Sequence, residues 1–344
     1  MKINKLKRIL TVMFIMIAAV MVLAGCGSDK DAGSSASNAP ITTEGKDEGA
    51  VLRIAAQPYP LYTSVYVAHN LGFIDEEFNK IGAKYEWNEF KSGPLVNEAV
   101  ASGEEDMGFM ADLPAIIAKS RGQDIEIVSN IAYGEKGLAV LVGKDSSIQS
   151  VADLKGKKVA YAKGSYAQHL LALLLDKEGL TLNDVQTVNL GAAEQVTALT
   201  TGEVDAIVIW EQYITKMTND GTARVLADGT GIKRGNMVNY FVTKYADEHP
   251  LVVLAYIKAL NRADEIIKND PDKAAEAVYK DFGVSKDEMK QILQNFTFTT
   301  ELSDADIKEI TAVKDFSKKA NIIQGDVDMN SFINTKYLDA LKKQ

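Results

Sequence analysis

Cysteine and histidine are nearly absent from this sequence, which has one cysteine, Cys26, and three histidines among its 344 residues. A single cysteine excludes a disulfide within the chain, so the core must supply the stability of the folded part. The spacings typical of metal sites, phosphate loops and nucleophile elbows are missing as well. The sequence therefore predicts no catalytic residue, no metal site and no cofactor.

Positive charge is also in short supply, with 38 lysines and arginines against 47 aspartates and glutamates, a formal net charge of −9. Four of the basic residues and none of the acidic ones lie within residues 1–25, so the remainder carries a formal charge of −13. A body this acidic is a poor partner for nucleic acid or for an anionic bilayer surface.

The N-terminus has the pattern of an export signal over residues 1–25. Four basic residues precede a run from Ile9 to Leu23 that is apolar apart from Thr11. The following Leu-Ala-Gly-Cys resembles a bacterial lipoprotein cleavage box, which predicts Cys26 as the lipid anchor. Residues 26–50, rich in Gly, Ser and Ala, are then a flexible linker. The alternative is an uncleaved transmembrane anchor; either way, the folded part is expected outside the cytoplasm and tethered to a membrane.

One stretch of the sequence occurs twice, as SGEEDMGFMAD from Ser102 to Asp112 and as TGEVDAIVIWE from Thr201 to Glu211. Each glycine follows a helical pattern and is typical of a helix C-cap. Each apolar run suits a short buried strand, and each closing acid suits the first turn of the next helix. The repeat predicts the same helix–strand–helix unit in two lobes. The alternative is that Gly-Glu-x-Asp segments are common between the helices and strands of α/β proteins, so that the match arises by chance.

Strand and helix patterns alternate through most of the chain, which predicts an α/β fold with mainly parallel sheets. We assign residues 51–139 to lobe 1, residues 140–240 to lobe 2, and residues 241–344 to a return to lobe 1 with C-terminal helices. Two crossings between the lobes make a two-strand hinge. A ligand cleft between the lobes is expected where strand ends and helix starts face each other.

Three helix starts are candidates for binding an anion in that cleft, because their free N–H groups and the helix dipole favour negative charge. The alternative is that each is an ordinary helix cap. The starts are Ser92-Gly93, Asp112-Leu113 and Ser165-Tyr166, the last with Gln168 at capping-box spacing.

Aromatic residues in the same loops are expected to form the walls of the cleft, although core filling is the alternative. Tyr59, Tyr166 and Trp210 are favoured because they lie at turns from strand to helix, and Tyr133 and Tyr240 are further candidates. Two acids near these turns also need an explanation, since a carboxylate in an anion site costs energy. Asp112 and Glu211 either cap helices or bind an amino group of the ligand, as in taurine.

The chain resembles the solute-binding proteins of bacterial ABC importers, in the aliphatic sulfonate/taurine/nitrate-type family. The resemblance rests on residues 81–94 (IGAKYEWNEFKSGP), 101–122 (ASGEEDMGFMADLPAIIAKSRG), 150–171 (SVADLKGKKVAYAKGSYAQHLL), 202–213 (GEVDAIVIWEQY) and 227–250 (ADGTGIKRGNMVNYFVTKYADEHP). It implies a two-lobed periplasmic-binding-protein-like fold of type II with the anion at the three helix starts. It also implies that Gln57, Trp210 and Glu211 line the cleft.

The expected function is capture of a small organic anion, an aliphatic sulfonate or taurine, by closure of the lobes. The expected partners are an importer permease with its ATPase, and the protein is expected to be a monomer. Departures from the family at pocket positions such as Leu113 and Gln168 leave other ligands open: nitrate, a thiamine-pyrimidine precursor or an aromatic acid. Two further alternatives are a pyrimidine-precursor synthase, which would need an active-site histidine, and a ligand-sensing lipoprotein.

Overall fold

Residues 41–343 are described by a computed structural model, which contains two mixed β-sheets with helices packed on them. The strands are β1 (Val51–Ala56), β2 (Lys84–Glu89), β3 (Met107–Ala111), β4 (Ile125–Tyr133), β5 (Leu138–Gly143), β6 (Lys158–Tyr161), β7 (Gln186–Asn189), β8 (Ala206–Trp210), β9 (Ala223–Asp228), β10 (Asn236–Val242) and β11 (Thr297–Phe298). The α-helices are α1 (Thr63–Asn70), α2 (Phe73–Ile81), α3 (Gly93–Ser102), α4 (Asp112–Ser120), α5 (Tyr166–Lys177), α6 (Ala192–Thr200), α7 (Tyr213–Asn219), α8 (Thr243–Glu248), α9 (Pro250–Asn269), α10 (Pro271–Val278), α11 (Lys286–Leu293), α12 (Asp304–Lys319), α13 (Met329–Phe332) and α14 (Lys336–Lys342).

Each sheet is the centre of one lobe. The sheet of lobe 1 has the strand order β11-β4-β10-β3-β1-β2, and the sheet of lobe 2 has the order β7-β6-β8-β5-β9. The chain leaves lobe 1 after β4, builds the whole second sheet from β5 to β9, and returns with β10. The return crossing therefore spans residues 229–235, ahead of the boundary predicted at residue 240, which falls inside β10.

The prediction of mainly parallel sheets is wrong, because the strands that follow each crossing run antiparallel to their neighbours. Strand β1 is parallel to β2 and β3, and β6 is parallel to β7 and β8. In contrast, β10 is antiparallel to β3 and β4, and β5 is antiparallel to β8 and β9. A strand arriving from the other lobe enters its sheet at the end where the parallel strands finish, so it runs the opposite way.

The sequence repeat is confirmed as a structural repeat. Strand β3 lies between β10 and β1, and β8 lies between β5 and β6 in the same relative directions. The aspartates that precede β3 and β8 also make matching hydrogen bonds. Asp106 accepts a hydrogen bond from the Arg53 N–H at 3.0 Å and donates its own N–H to the Arg53 carbonyl at 3.0 Å. Asp205 makes the same two bonds with Lys158, at 2.8 and 2.9 Å.

The last ten residues of the predicted linker belong to the fold. Ile41 packs against the core, and the Asp47 N–H donates to the Ile81 carbonyl at 2.8 Å while its carboxylate lies 3.0 Å from His249 Nδ1. The export signal, Cys26 and the rest of the linker lie outside the described residues. Within residues 41–343 no helix has the length and apolar character needed to cross a bilayer.

Candidate ligand-binding cleft

Three aromatic rings meet at the junction of the lobes: one from the loop after β1, one from the first residue of α5, and one from the last residue of β8. Tyr59 from lobe 1 meets Trp210 from lobe 2 edge to face, with ring centroids 5.9 Å apart at 81°. Tyr166, also from lobe 2, lies with its centroid 6.0 Å from that of Trp210. We call Tyr59, Tyr166 and Trp210 the aromatic cluster; it joins the three aromatic residues that the sequence favoured.

The indole of Trp210 carries a buried donor without an acceptor. Its side chain is part of a residue only 8% exposed, and Nε1 has no hydrogen-bond partner within residues 41–343. Buried polar groups in proteins are nearly always hydrogen-bonded, and an orphan requires an explanation. A ligand oxygen at this position would supply the missing acceptor.

The two tyrosine hydroxyls of the cluster are neutral donors. Tyr59 donates to the Lys91 carbonyl at 2.7 Å, and the Tyr166 hydroxyl lies 3.5 Å from the Gly137 carbonyl. Burial raises the pKa of Tyr59 to about 12, and burial, followed by Tyr62 and then by the charges of Glu211 and Asp112, raises the pKa of Tyr166. Both rings therefore remain protonated at neutral pH and add no negative charge to the cleft.

The start of α3 lies next to the cluster through the contact of Tyr59 with Lys91. Ser92 is the N-cap residue, and its side chain makes no capping hydrogen bond. Gly93 lies against α4, since a Cβ placed on it would be 3.2 Å from Pro114 Cβ. This helix start is half-exposed and keeps its capping hydroxyl available to a ligand.

The start of α5 also lies against α4. Ser165 accepts a hydrogen bond from the Ala167 N–H at 3.3 Å, and a Cβ on Gly164 would lie 3.6 Å from Ile117 Cδ1 of α4. Gln168 accepts from the Gly164 N–H at 2.9 Å rather than from Ser165, so the reciprocal capping box suggested by the spacing is not formed. Helix α4 thus contacts the starts of both α3 and α5, through Pro114 and Ile117 respectively.

The start of α4 itself is occupied by protein groups. Asp112 is fully buried, with Oδ1 accepting from the Leu113 N–H at 2.7 Å and Oδ2 accepting from Lys233 Nζ at 2.7 Å. Leu113 is fully buried in the core. The Leu113 N–H and the Asp112 carboxylate are therefore used within the protein rather than presented to a ligand.

Glu211 is likewise satisfied internally. Its Oε2 accepts from the Thr215 N–H at 3.0 Å, and Oε1 accepts from the Thr215 hydroxyl at 3.0 Å and from Asn295 Nδ2 at 2.7 Å. Burial raises the pKa of Glu211, and these three donors oppose that effect. Both acids accept hydrogen bonds from backbone N–H groups in the first turn of the helix that follows, and every oxygen of the two carboxylates already accepts from a protein donor.

Two of the predicted aromatic residues do not join the cluster. Tyr240 is fully buried inside lobe 1, where its hydroxyl donates to Asn97 Oδ1 at 3.1 Å, because its position in β10 directs it beneath α3. Tyr133 ends β4, and its ring is covered by the Arg234 guanidinium at 3.4 Å. Tyr240 is thus packed inside lobe 1 rather than in a cleft wall, and Tyr133 remains a predicted cleft residue that is not part of the aromatic cluster.

Gln57 lies in the loop after β1, two residues before Tyr59, and its side chain contacts lobe 1. It is 3% exposed, and its Nε2 donates to the Phe109 carbonyl at 2.6 Å and lies 3.5 Å from the Tyr62 hydroxyl. The side-chain oxygen is not among these contacts, so Gln57 holds the loop after β1 against β3.

His169 and Lys233 are buried next to each other behind the start of α4. His169 is 2% exposed, its Nδ1 has no partner within the described residues, and its ring lies 4.3 Å from that of Phe316. Burial, with the positive charge of Lys233, lowers the pKa of His169 to about 2, so the imidazole is neutral. Lys233 lies within the segment 227–250 that carries the resemblance, but no feature of the sequence pairs it with Asp112, 121 positions away.

The cleft is closed around the aromatic cluster. A groove of about 880 Å³ exists elsewhere on lobe 1, lined by residues such as Asp264, Lys290 and Phe298, and no member of the cluster lines it. Because Trp210 and Tyr166 are only 8% and 5% exposed, a ligand can reach the Trp210 donor only when the lobes separate.

Comparison with known proteins agrees with this geometry. Residues 60–274 match the family model described as NMT1/THI5 like. The chain belongs to the NMT1/THI5-like family. A Bacillus subtilis protein, named provisionally as an aliphatic sulfonates-binding protein, is 30% identical over 95% of both chains. The resemblance to sulfonate-type solute-binding proteins that the sequence motifs indicated is thereby confirmed.

Solved structures in the family have the same fold. The alkanesulfonate-binding protein of Xanthomonas axonopodis pv. citri, bound to MOPS, is 29% identical with a TM-score of 0.76, covering 84% of this chain and 99% of its own. The periplasmic aliphatic sulphonate binding protein of Escherichia coli is 26% identical with a TM-score of 0.74, covering 82% and 97%. The desulfurization enzyme DSZB is 16% identical with a TM-score of 0.66, covering 86% and 99%, and shares the fold alone.

Proposed function

We propose that this protein is the extracytoplasmic solute-binding component of an ABC importer and captures a small organic anion, an aliphatic sulfonate, by closure of its two lobes. The observation that carries the proposal is the buried Trp210 N–H at the junction of the lobes, which has no acceptor among residues 41–343. Around it, two neutral tyrosines supply ring surface, and the starts of α3 and α5 supply N–H groups and partial positive charge.

A sulfonate suits this arrangement because it has an apolar body and a head with three acceptor oxygens. The aromatic cluster offers apolar ring surface to the body, and the Trp210 N–H and the Ser92 hydroxyl offer donors to the head. A hydrogen bond to a charged group contributes about 1.5–3 kcal/mol, so a few such bonds with ring contact suffice for micromolar affinity. Names of relatives at 29–30% identity point to the same ligand class.

Binding without chemical conversion is the second part of the proposal. The only cysteine of the sequence lies at position 26, and His169 is buried against Phe316, where burial lowers its pKa. The aromatic cluster itself therefore contains neither a thiol nor an imidazole. Mass spectrometry of ligand recovered after prolonged incubation should return it unaltered.

Membrane attachment through a lipid on Cys26 and delivery to a permease complete the proposal. The attachment rests on the signal-like residues 1–25 and the cleavage box, and the protein is proposed to act as a monomer. Closure of the lobes on the ligand would shift the population toward the form that a permease recognises. Labelling of cells with an alkyne fatty acid should mark the wild-type protein and leave the Cys26→Ala variant unmarked.

Calorimetric titration tests the ligand class. Alkanesulfonates, taurine, nitrate and pyrimidines are titrated into the wild type and into Trp210→Phe, which keeps an aromatic ring and removes the N–H. We expect alkanesulfonates to bind and Trp210→Phe to bind them about 10- to 100-fold more weakly, as expected for one hydrogen bond to a charged group.

The matched control is Trp87→Phe, the same change at the other tryptophan. Trp87 stacks on His69 within lobe 1, with centroids 4.1 Å apart, so its replacement should leave the affinity unchanged. Equal affinities in all three proteins would remove Trp210 from the site, and the absence of binding by every sulfonate would refute the proposed function.

A further inference from the structure

We propose that Lys233 sets the charge preference of the cleft: by neutralising Asp112 it makes the site select a simple alkanesulfonate over one that also bears an ammonium group. This inference deepens the proposed function and depends on it.

The pair is buried as deeply as any in the described part of the chain. Lys233 lies in the return crossing 229–235, with Nζ 2.7 Å from Asp112 Oδ2 and 3.8 Å from Glu309 Oε1. The side chains of Lys233 and Asp112 both have zero exposure. Two charges in that position must balance each other, because a lone charge there would be uncompensated by water.

The pair lies close to two parts of the proposed ligand site. Asp112 begins α4, two residues before Pro114, and a Cβ on Gly93 at the start of α3 would lie 3.2 Å from Pro114 Cβ. Burial, then Tyr62, and then the charges of Glu211 and Asp112 raise the pKa of Tyr166, whose ring neighbours that of Trp210. A change in the net charge of the Lys233–Asp112 pair would therefore be felt by a ligand held at the aromatic cluster.

The other acids near the pair do not replace Asp112 as partners for a ligand cation. Both oxygens of Glu211 are bonded to Thr215 or Asn295. Glu309 is the second carboxylate facing Lys233, and burial raises its pKa. With Asp112 neutralised, an ammonium group entering the cleft would lose its water without gaining a free carboxylate. A sulfonate without an amino group has no such penalty.

Two probes that share a sulfonate and differ by one ammonium group test the inference. Ethanesulfonate and taurine are titrated calorimetrically at pH 7 into the full chain, and the measured quantity is the ratio of their affinities. The wild type should favour ethanesulfonate at least tenfold. Lys233→Met removes the cation that balances Asp112 and should lower the ratio at least tenfold. Asp112→Asn removes one negative charge and leaves Lys233 with Glu309 as its partner, so it should raise the ratio. The double variant, neutral at both positions, should return to the wild-type ratio.

A charge removed outside the cleft gives the control. Lys290, 38% exposed and paired with Asp272 at 2.9 Å, is replaced in Lys290→Met, which should leave the ratio unchanged. A loss of packing alone would weaken the binding of both probes equally. A ratio that stays constant across the Lys233 and Asp112 variants therefore overturns the inference. In that case, sulfonate binding by the wild type still supports the proposed function. Should Lys233→Met not fold, the Asp112→Asn and double variants still decide the result. If the wild type binds neither probe, both proposals fail together.

Discussion

The buried pair of Lys233 and Asp112 also makes a quantitative prediction about stability. Replacing Lys233 by Met removes the cation 2.7 Å from Asp112 and leaves that carboxylate, fully buried, with the Leu113 N–H as its remaining donor. Breaking a buried ion pair from one side costs about 3–5 kcal/mol, because the surviving charge stays desolvated. At roughly 2 °C per kcal/mol for a folded unit of this size, the Tm should fall by about 6–10 °C.

The compensating variant separates the charge effect from lost packing. Lys233→Met combined with Asp112→Leu replaces both charges by apolar groups, and such replacements are often neutral or stabilising. We therefore expect the double variant to unfold within about 1 kcal/mol of the wild type, with a coupling energy of about 3 kcal/mol or more in the double-mutant cycle. The assay is urea unfolding followed by circular dichroism, with calorimetric Tm values as a second readout. Additive effects of the two single changes would refute the reasoning.

Two further predictions concern lobe 1 and the hinge. Burial raises the pKa of Asp264 to about 7, so the folded protein holds this proton more tightly than the unfolded chain, and stability should decline as the pH rises toward 7. The free energy of unfolding of Asp264→Asn, measured with urea, should therefore gain about 3 kcal/mol relative to the wild type between pH 5 and pH 8. A difference between the two proteins that does not change with pH would contradict this. A Cβ on Gly137 would lie 2.4 Å from the Phe296 ring, whereas one on Gly143 meets nothing within 4 Å. Gly137→Ala should therefore lower the stability by about 1–3 kcal/mol in thermal unfolding, and Gly143→Ala by much less. Equal losses of stability in the two variants would rule out this packing.

Local patterns in the sequence predicted the repeated unit and its helix starts well. The glycine, the aspartate, the short apolar run and the closing acid each act on neighbours close in the chain, so one segment contains the whole signal. The aromatic residues at the turns after β1, β6 and β8 were predicted for the same reason. Tyr59, Tyr166 and Trp210 follow strands whose carboxyl ends meet at the cleft, and the structure joins them.

Features that depend on which distant segments meet were missed. The antiparallel direction of β10 follows from its arrival from the other lobe, which alternation of strands and helices does not encode. Tyr240 was misplaced for the same reason, since its direction depends on the pairing of β10. Lys233 and Asn295 reach acids 121 and 84 positions away, and only the folded chain shows that Asp112 and Glu211 are already bonded.

Capture of a sulfonate between the lobes is tested most directly by the fluorescence of Trp210. The sequence has two tryptophans, so Trp87→Phe leaves Trp210 as the single reporter at the lobe junction. Addition of ethanesulfonate to this variant should produce a saturable change in emission, while Trp210→Phe, which reports from Trp87 inside lobe 1, should show none. An emission spectrum of the Trp210 reporter that does not respond to any alkanesulfonate would contradict the account.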